Sequence, residues 1–455
     1  MKKYSKYKAS GVVWLGEIPS DWNRYRIKFC FNSINGGVWG EDPIGDTNDI
    51  VCIRVADFDY THGVIDTSNF TTRNISPSEQ KSRLLKKGDL LIEKSGGGEL
   101  SPVGRVVKFD LDIKAVCSNF INRLNTKKQF NPDFLNYLNR YLYSRGITES
   151  CINQTTGIQN LKVGEFVSNV IFTPSRPEQH TIVRFLDYKT GQIDSFIANR
   201  QKQIELLKEQ KAGVINKAVT KGINPNAKMK DSGLNWLPEI PVSSNVMTLK
   251  HLVKIKITDG PHLTPVAVEN GIPFVSAEAV QDYSINFNSK WGDISHADHI
   301  LFSKKCKPQN GDIFIVKSGA TTGKVAYVNT DIEFNIWSPL ALVRADERKI
   351  LSIYLFYFII SKSFLEQIQF SWSFGTQQNI GMGVIQNLKI ITPSLKQQNE
   401  IVEFIKSETL TIDTLISKYQ KQIDLMQEYR TSLISQAVTG KIDVRDWQPI
   451  KAATV

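Results

Sequence analysis

The chain is written twice. Ser10-Gly11-Val12-Val13-Trp14-Leu15-Gly16-Glu17-Ile18-Pro19 returns 222 residues on as Ser232-Gly233-Leu234-Asn235-Trp236-Leu237-Pro238-Glu239-Ile240-Pro241. Gly88-Asp89-Leu90-Leu91-Ile92-Glu93-Lys94-Ser95-Gly96 returns 223 residues on as Gly311-Asp312-Ile313-Phe314-Ile315-Val316-Lys317-Ser318-Gly319. Thr173-Pro174-Ser175 matches Thr392-Pro393-Ser394, and Gln201-Lys202-Gln203-Ile204 matches Gln420-Lys421-Gln422-Ile423, both at 219. Four separated blocks at a nearly constant offset define two tandem copies of a unit of roughly 220 residues. That period is too long for a solenoid, so each copy is a domain or a domain plus a connector.

The two parts of each unit differ in kind. The first part reads as short strands and turns, with Val51–Val55 answered by Ile272–Ser276 and Asp89–Ile92 by Asp312–Ile315. A helix is expected near Pro132–Tyr143, and its counterpart near Leu351–Phe364. The globular part is therefore α+β. The last part of each unit carries a helical apolar stripe: Phe185, Ile193, Ile197, Ile204, Leu207, Ile215 and Ala218 in the first copy. The second copy repeats it with Ile401, Phe404, Ile412, Ile416, Ile423, Met426, Leu433 and Ala437. Gly191 and Gly213 are the weak points of the first stripe, each costing about 1 kcal/mol against Ala.

A helix of about 40 residues is roughly 60 Å long, and one narrow stripe does not stabilise it alone. Each long helix needs a partner, and the other copy supplies one. The expected architecture is two similar globular domains separated by a pair of long antiparallel coiled-coil helices acting as a rigid spacer, with a pseudo-twofold internal repeat. Helix pairing falls to Ile193, Ile197, Ile204, Ile412, Ile416 and Ile423. In chain order the division is 1–175, the first globular domain; 176–222, a spacer helix; 223–394, the second globular domain; and 395–455, a second spacer helix and tail. The competing arrangement folds each helix back onto its own domain, and the interleaved charges of Arg184, Lys189, Asp194, Arg200 and Glu205 fit either.

Composition bounds the partner. Lys and Arg number 56 against 45 Asp and Glu, a formal charge of +11. Such an excess points to a polyanion, most simply nucleic acid. The longest apolar run, Tyr354–Ile360, is far short of the roughly 20 residues a spanning helix needs, so no membrane role is expected. The start MKKYSKYKAS lacks the apolar core of a signal peptide. Cys30, Cys52, Cys117, Cys151 and Cys306 are scattered without a C-x-x-C pair, which fits buried reduced thiols in a cytoplasmic protein better than a zinc module or disulfides.

Candidate binding residues sit in glycine-rich turns after strands. Lys94-Ser95-Gly96-Gly97-Gly98 leads to Gly104-Arg105, and Lys317-Ser318-Gly319-Ala320-Thr321-Thr322 leads to Gly323-Lys324. Small residues admit a close polyanion while Lys, Arg and hydroxyls donate to it. Neither run has the G-x-x-x-x-G-K-[ST] spacing of a nucleotide-phosphate loop. A ligand-free β-turn explains one copy, but retention of Lys-Ser-Gly in both favours function. A second loop, Thr155–Leu161, is answered by Phe374–Ile380; Gln159, Gln377 and Gln378 could pair with adenine, whereas Asn160 and Asn379 also suit a helix start. Arg54 and Ser276, after matched strands, complete the set. His296-Ala297-Asp298-His299 lacks H-E-x-x-H and a counterpart in the first copy, so exposed loop histidines, not a metal site, are expected. Asn131-Pro132-Asp133-Phe134 falls short of the N-P-P-[YF] adenine-methylation motif. No catalytic constellation or carboxylate metal cluster stands out; the alternatives to a nucleic-acid reader are a protein-assembling adaptor and an enzyme such as a self-contained methyltransferase or nuclease.

The pattern resembles the specificity (S) subunits of type I restriction–modification enzymes. The resemblance is carried by Ser10–Pro19 with Trp22, the Gly88–Gly96 run, Thr258-Asp259-Gly260-Pro261-His262-Leu263-Thr264-Pro265, Gly271–Ser276, and the twin endings Ala218-Val219-Thr220-Lys221-Gly222 and Ala437-Val438-Thr439-Gly440-Lys441. It covers essentially the whole chain. It implies two target recognition domains, each reading one half of a bipartite, asymmetric site in double-stranded DNA, with the helices setting the half-site spacing. It implies no catalysis and no cofactor in this chain. S-adenosylmethionine would belong to two docked modification (adenine methyltransferase) subunits, and ATP and Mg to the full complex with restriction subunits. The first copy departs from the second: Asn35-Gly36-Gly37-Val38-Trp39-Gly40 stands where the second has the Asp-Gly-Pro-His run.

Overall fold

The computed structural model describes residues 2–155, 157–369 and 379–449. It divides into two compact units, Met1–Asn199 with Lys421–Val455, and Arg200–Gln420. The division differs from one made in chain order, because each compact unit takes part of both long helices.

In the first unit, four antiparallel strands lie in the order Val106–Lys108, Leu90–Glu93, Ile121–Thr126 and Phe31–Gly36. A three-stranded sheet centres on Asp49–Ile53, parallel to Ala115–Cys117 and antiparallel to Thr71–Asn74. The strand Asn23–Arg26 pairs with Val170–Thr173, just before the first long helix. The second unit repeats each feature. Val325–Tyr327, Ile313–Val316, Leu340–Val343 and Thr258–Asp259 form the same four-stranded order. Ile272–Val275 is parallel to Asn335–Ile336 and antiparallel to Gly292–Ile294, and Asn245–Thr248 pairs with Lys389–Thr392. The repeat is thus a repeat of topology, and the fold is α+β in both copies.

The expected strands appear within a residue or two of their predicted bounds, and the first-copy helix spans Pro132–Ser144. Its counterpart is broken into Ser352–Ile359 and Lys362–Gln369. Ser361 explains the break: its hydroxyl donates to the Phe358 carbonyl at 2.6 Å and accepts the Phe364 N–H at 3.4 Å, starting a new helix.

The first long helix is Arg176–Lys221 and the second Leu395–Val438. Gly191 and Gly213 lie inside the first without interrupting it. Within the first unit, Ile193 shares a core with Leu433, Ile434 and Ala437, the Asp194 carboxylate meets Arg430 at 2.9 Å, and Phe185 packs on Trp447. Within the second, Arg200 lies over the Tyr419 ring, Lys211 pairs with Asp413 at 2.7 Å, and Ile215, Ala218 and Val219 share a core with Ile401, Val402 and Ile405. In each unit the numbering of one helix rises as that of the other falls, so the segments are antiparallel. Ile193, Ile204, Ile412 and Ile423 are buried, while Ile197 and Ile416 are half-buried.

Each helix start is tied to its own domain by one glutamine. Gln179 accepts the Asn131 N–H at 2.8 Å and donates to the Pro174 carbonyl at 2.9 Å; Gln398 does the same with Leu351 and Pro393 at the same distances. Both are buried to 1% exposure or less. All five cysteines are buried and free, and burial pushes the thiols of Cys30, Cys52, Cys117 and Cys306 up to about 12. Among the described residues no helix is long and apolar enough to cross a membrane.

Candidate nucleic-acid interface

The Gly-Asp step of the repeated motif is architectural. Gly88 and Gly311 take φ of 90° and 88°, which favours glycine. The buried Asp89 then accepts the Lys86 N–H at 2.7 Å and the Arg123 guanidinium at 2.5 Å. Asp312 accepts the Gln309 N–H and two bonds from Arg344, all at 2.7 Å. Each aspartate closes a turn and locks two strands of the four-stranded sheet.

The Lys-Ser-Gly step is also tied into the sheet through its backbone. The Lys94 N–H donates to the Phe120 carbonyl and its own carbonyl accepts from Leu161; Lys317 repeats this with Pro339 and Ile380. Ser95 pairs with Asn160, its hydroxyl 2.6 Å from the Asn160 amide oxygen, and Ser318 bridges Asn379. Gly96 and Gly319 lie at φ of 114° and 103°. The positive φ accounts for the glycine without any ligand, whereas the lysine's backbone bonds are open to any residue except proline and do not select the lysine. The expected loop at 155–161 is a β-hairpin, Ile152–Thr155 with Ile158–Leu161, and Asn160 is a strand residue there, not a helix start.

Several candidate readers are committed to the fold. Gln159 is 6% exposed and its amide oxygen takes the Val103 N–H at 3.2 Å, so the reading of it as an adenine reader is corrected to a brace for the glycine loop. Ser276 is buried before a helical turn. Arg54 closes its own turn through Asp57, with a backbone bond of 2.7 Å and a side-chain bond of 2.8 Å. Arg105 grips the buried Glu93 through two bonds of 2.9 and 3.0 Å and stacks on Tyr60 at 3.5 Å, so it neutralises a carboxylate before it can serve a phosphate. Thr322 donates to the Gly319 carbonyl at 2.7 Å, shaping its own turn. Lys94 and Lys324 have no ion-pair partner among the described residues, and Lys324 is exposed. Gln377 and Gln378 lie outside the described residues. His296 and His299 sit on the helix His296–Ser303, not in a loop; His296 is exposed as expected, whereas His299 is buried with its ring nitrogen 2.7 Å from Asn335, which corrects the expectation for that residue. Asn131 caps the helix Pro132–Ser144, accepting from the Asp133 and Phe134 N–H groups.

The structure also brings Arg83 and Lys305, which the sequence reading passes over, to residues that it names. A Cβ on Gly37 would lie 2.1 Å from the Ser118 carbonyl oxygen, and one on Gly260 would lie 2.0 Å from that of Ile336. Only glycine fits at either point, 223 residues apart. A cation grips the carbonyl of each: Arg83 donates to Gly37 at 2.8 Å and also to Gly36, and Lys305 donates to Gly260 at 2.8 Å. In the second domain Lys305 and Lys317 further converge on Asp259, at 2.7 and 3.2 Å, with His262 at 3.4 Å. Burial alone would raise the Asp259 carboxyl, but the hydrogen bonds from Lys305 and Lys317 outweigh it and hold the group below the usual range. The adjoining segment exposes Leu263 and Val266 at 65% and 77%. The signal in the sequence is the glycine that Asn35–Gly40 and the Asp-Gly-Pro-His run have in common, at Gly37 and Gly260.

Known proteins share this organisation. The Methylase_S family model, described as the type I restriction modification DNA specificity domain, matches residues 19–206 and 241–425. A putative type I restriction enzyme MjaX specificity subunit of Methanocaldococcus jannaschii is 24% identical, over 95% of this chain and 96% of its own. The StySPI specificity subunit of Salmonella potsdam is 22% identical over 94% of this chain and 90% of its own. A chain from a solved structure on assembly and conformational transition of the type I R-M system superposes with a TM-score of 0.68 at 16% identity, covering 93% of this chain and 99% of that one. With the family model matched once in each copy and over most of the sequence, the chain belongs to the family of type I restriction–modification DNA specificity subunits.

Proposed function

We propose that this chain selects the DNA sequence for a type I restriction–modification complex, each of its two domains reading one half of a bipartite, asymmetric site. It is a non-catalytic subunit on this reading, and its relatives are named as specificity subunits of type I restriction enzymes. The observation that carries the reading is the doubled domain: two copies share strand order, buried ion pairs and glutamine braces, yet differ in the loops beside Gly37 and Gly260. A shared frame with different loops is what two readers of different half-sites require.

On the same reading, two modification subunits dock on the long helices and supply adenine methylation with S-adenosylmethionine, while restriction subunits contribute the ATP- and Mg-dependent steps. Helix length then sets the gap between half-sites, and the complex works in the cytoplasm. Lys94 and Lys324 anchor phosphates, and base reading falls to the loop around Gly260 and its first-copy counterpart. The test is a map of methylated adenines in the source genome with the gene intact and deleted. A split motif of fixed gap that vanishes on deletion supports the reading, whereas an unchanged map overturns it.

A further inference from the structure

The two domains differ in charge at one matched position. Gly36 precedes Gly37 as Asp259 precedes Gly260. In the second domain the Asp259 carboxylate, itself 9% exposed, is held between Lys305 at 2.7 Å and Lys317 at 3.2 Å. In the first domain the equivalent cations are Arg83 and Lys94, no carboxylate pairs with Lys94 among the described residues, and position 36 has no side chain. The frame around the two positions matches in strand order, in the clash that excludes a side chain at Gly37 and Gly260, and in the cation bonded to each glycine carbonyl.

We infer that Asp259 is a positioning and charge-tempering residue for the second half-site, and that its absence makes the first domain the stronger sequence-independent phosphate anchor. The inference rests on the DNA-reading function proposed above. Two lysines sharing one fixed carboxylate present one net positive charge where the first domain presents two, and each lysine is held in one direction. Sequence-independent affinity grows with the number of phosphates neutralised, and its salt dependence grows with it. Trimming that term in one domain leaves more of the second half-site's affinity to base contacts.

The carboxylate can be moved. A Cβ at Gly36 would meet nothing closer than the Asn122 amide oxygen at 3.8 Å, and Gly36 is not at positive φ, so Gly36→Asp fits. The experiment titrates binding of a mixed-sequence DNA duplex to the complex of this chain with its modification subunits, against salt. Asp259→Asn should steepen the slope of log K on log salt by about 0.9, and Gly36→Asp should flatten it by a similar amount. Lys94→Gln and Lys317→Gln each remove one positive charge and should each lower the slope by about 0.9, which checks independently of the carboxylate variants that both clusters face the DNA. Unchanged slopes for the two carboxylate variants, or no loss for either lysine variant, overturn the inference. Salt-independent or absent binding by the wild-type complex would instead overturn the DNA-reading function beneath it.

Discussion

The first and second domains keep the same strand order around very different loops, and the contrast is sharpest at the end of one strand. In the first domain Glu93 is buried and Arg105 must answer it; in the second Val316 stands in the matched place, and Lys324 is left exposed without an ion-pair partner among the described residues. The loop from Lys94 to Arg105 is also four residues longer than that from Lys317 to Lys324. A basic residue after a glycine loop is thus a structural counter-ion in one copy and a surface cation in the other. Sequence position alone does not assign a role; the residue opposite does.

The shared frame should fail alike in both copies. Arg123→Ala and Arg344→Ala each strand a carboxylate of 1% exposure, and each should cost about 3–5 kcal/mol in denaturant unfolding of the full chain. A large cost in one copy and none in the other would break the equivalence. Gln179→Ala and Gln398→Ala should follow at about 1–3 kcal/mol each, since a buried N–H loses its acceptor. Arg105→Gln should destabilise by a similar ~1–3 kcal/mol, because Tyr60 still donates to Glu93 and softens the loss. The smallest stability effect should come from Lys324→Gln, within about 0.5 kcal/mol. That variant should instead reduce the salt slope of DNA binding by about 0.9. A Lys324→Gln protein that unfolds early but binds normally would reverse the assignment of the two residues.

Much of the fold was legible in the residues. The offset repeat announces two copies, the short apolar runs in Asp89–Ile92 and Asp312–Ile315 announce strands, and the stripe through Ile193 and Ile204 announces a long helix that needs a partner. Ser361 hides the break in the second-copy helix, because a serine just after the apolar run Tyr354–Ile360 reads as part of the helix until its hydroxyl is seen capping. The site was less legible. Gln159, Arg105 and Ser276 have the chemistry of readers, but burial and hydrogen-bond partners, which come from distant segments such as Val103 and Glu93, spend that chemistry on the fold. Conversely, Gly37 and Gly260 look like ordinary turn glycines until the carbonyls of Ser118 and Ile336 are placed against them.

The central claim, that each domain independently reads one half of a split site, is tested most directly by exchanging one domain. Residues 23–173 would be replaced by the matching segment of a relative with a different half-site, and methylated adenines mapped in cells carrying the hybrid and its partner subunits. The account predicts that one half of the motif changes while the other half and the gap persist. A motif that changes in both halves, or in neither, would contradict it.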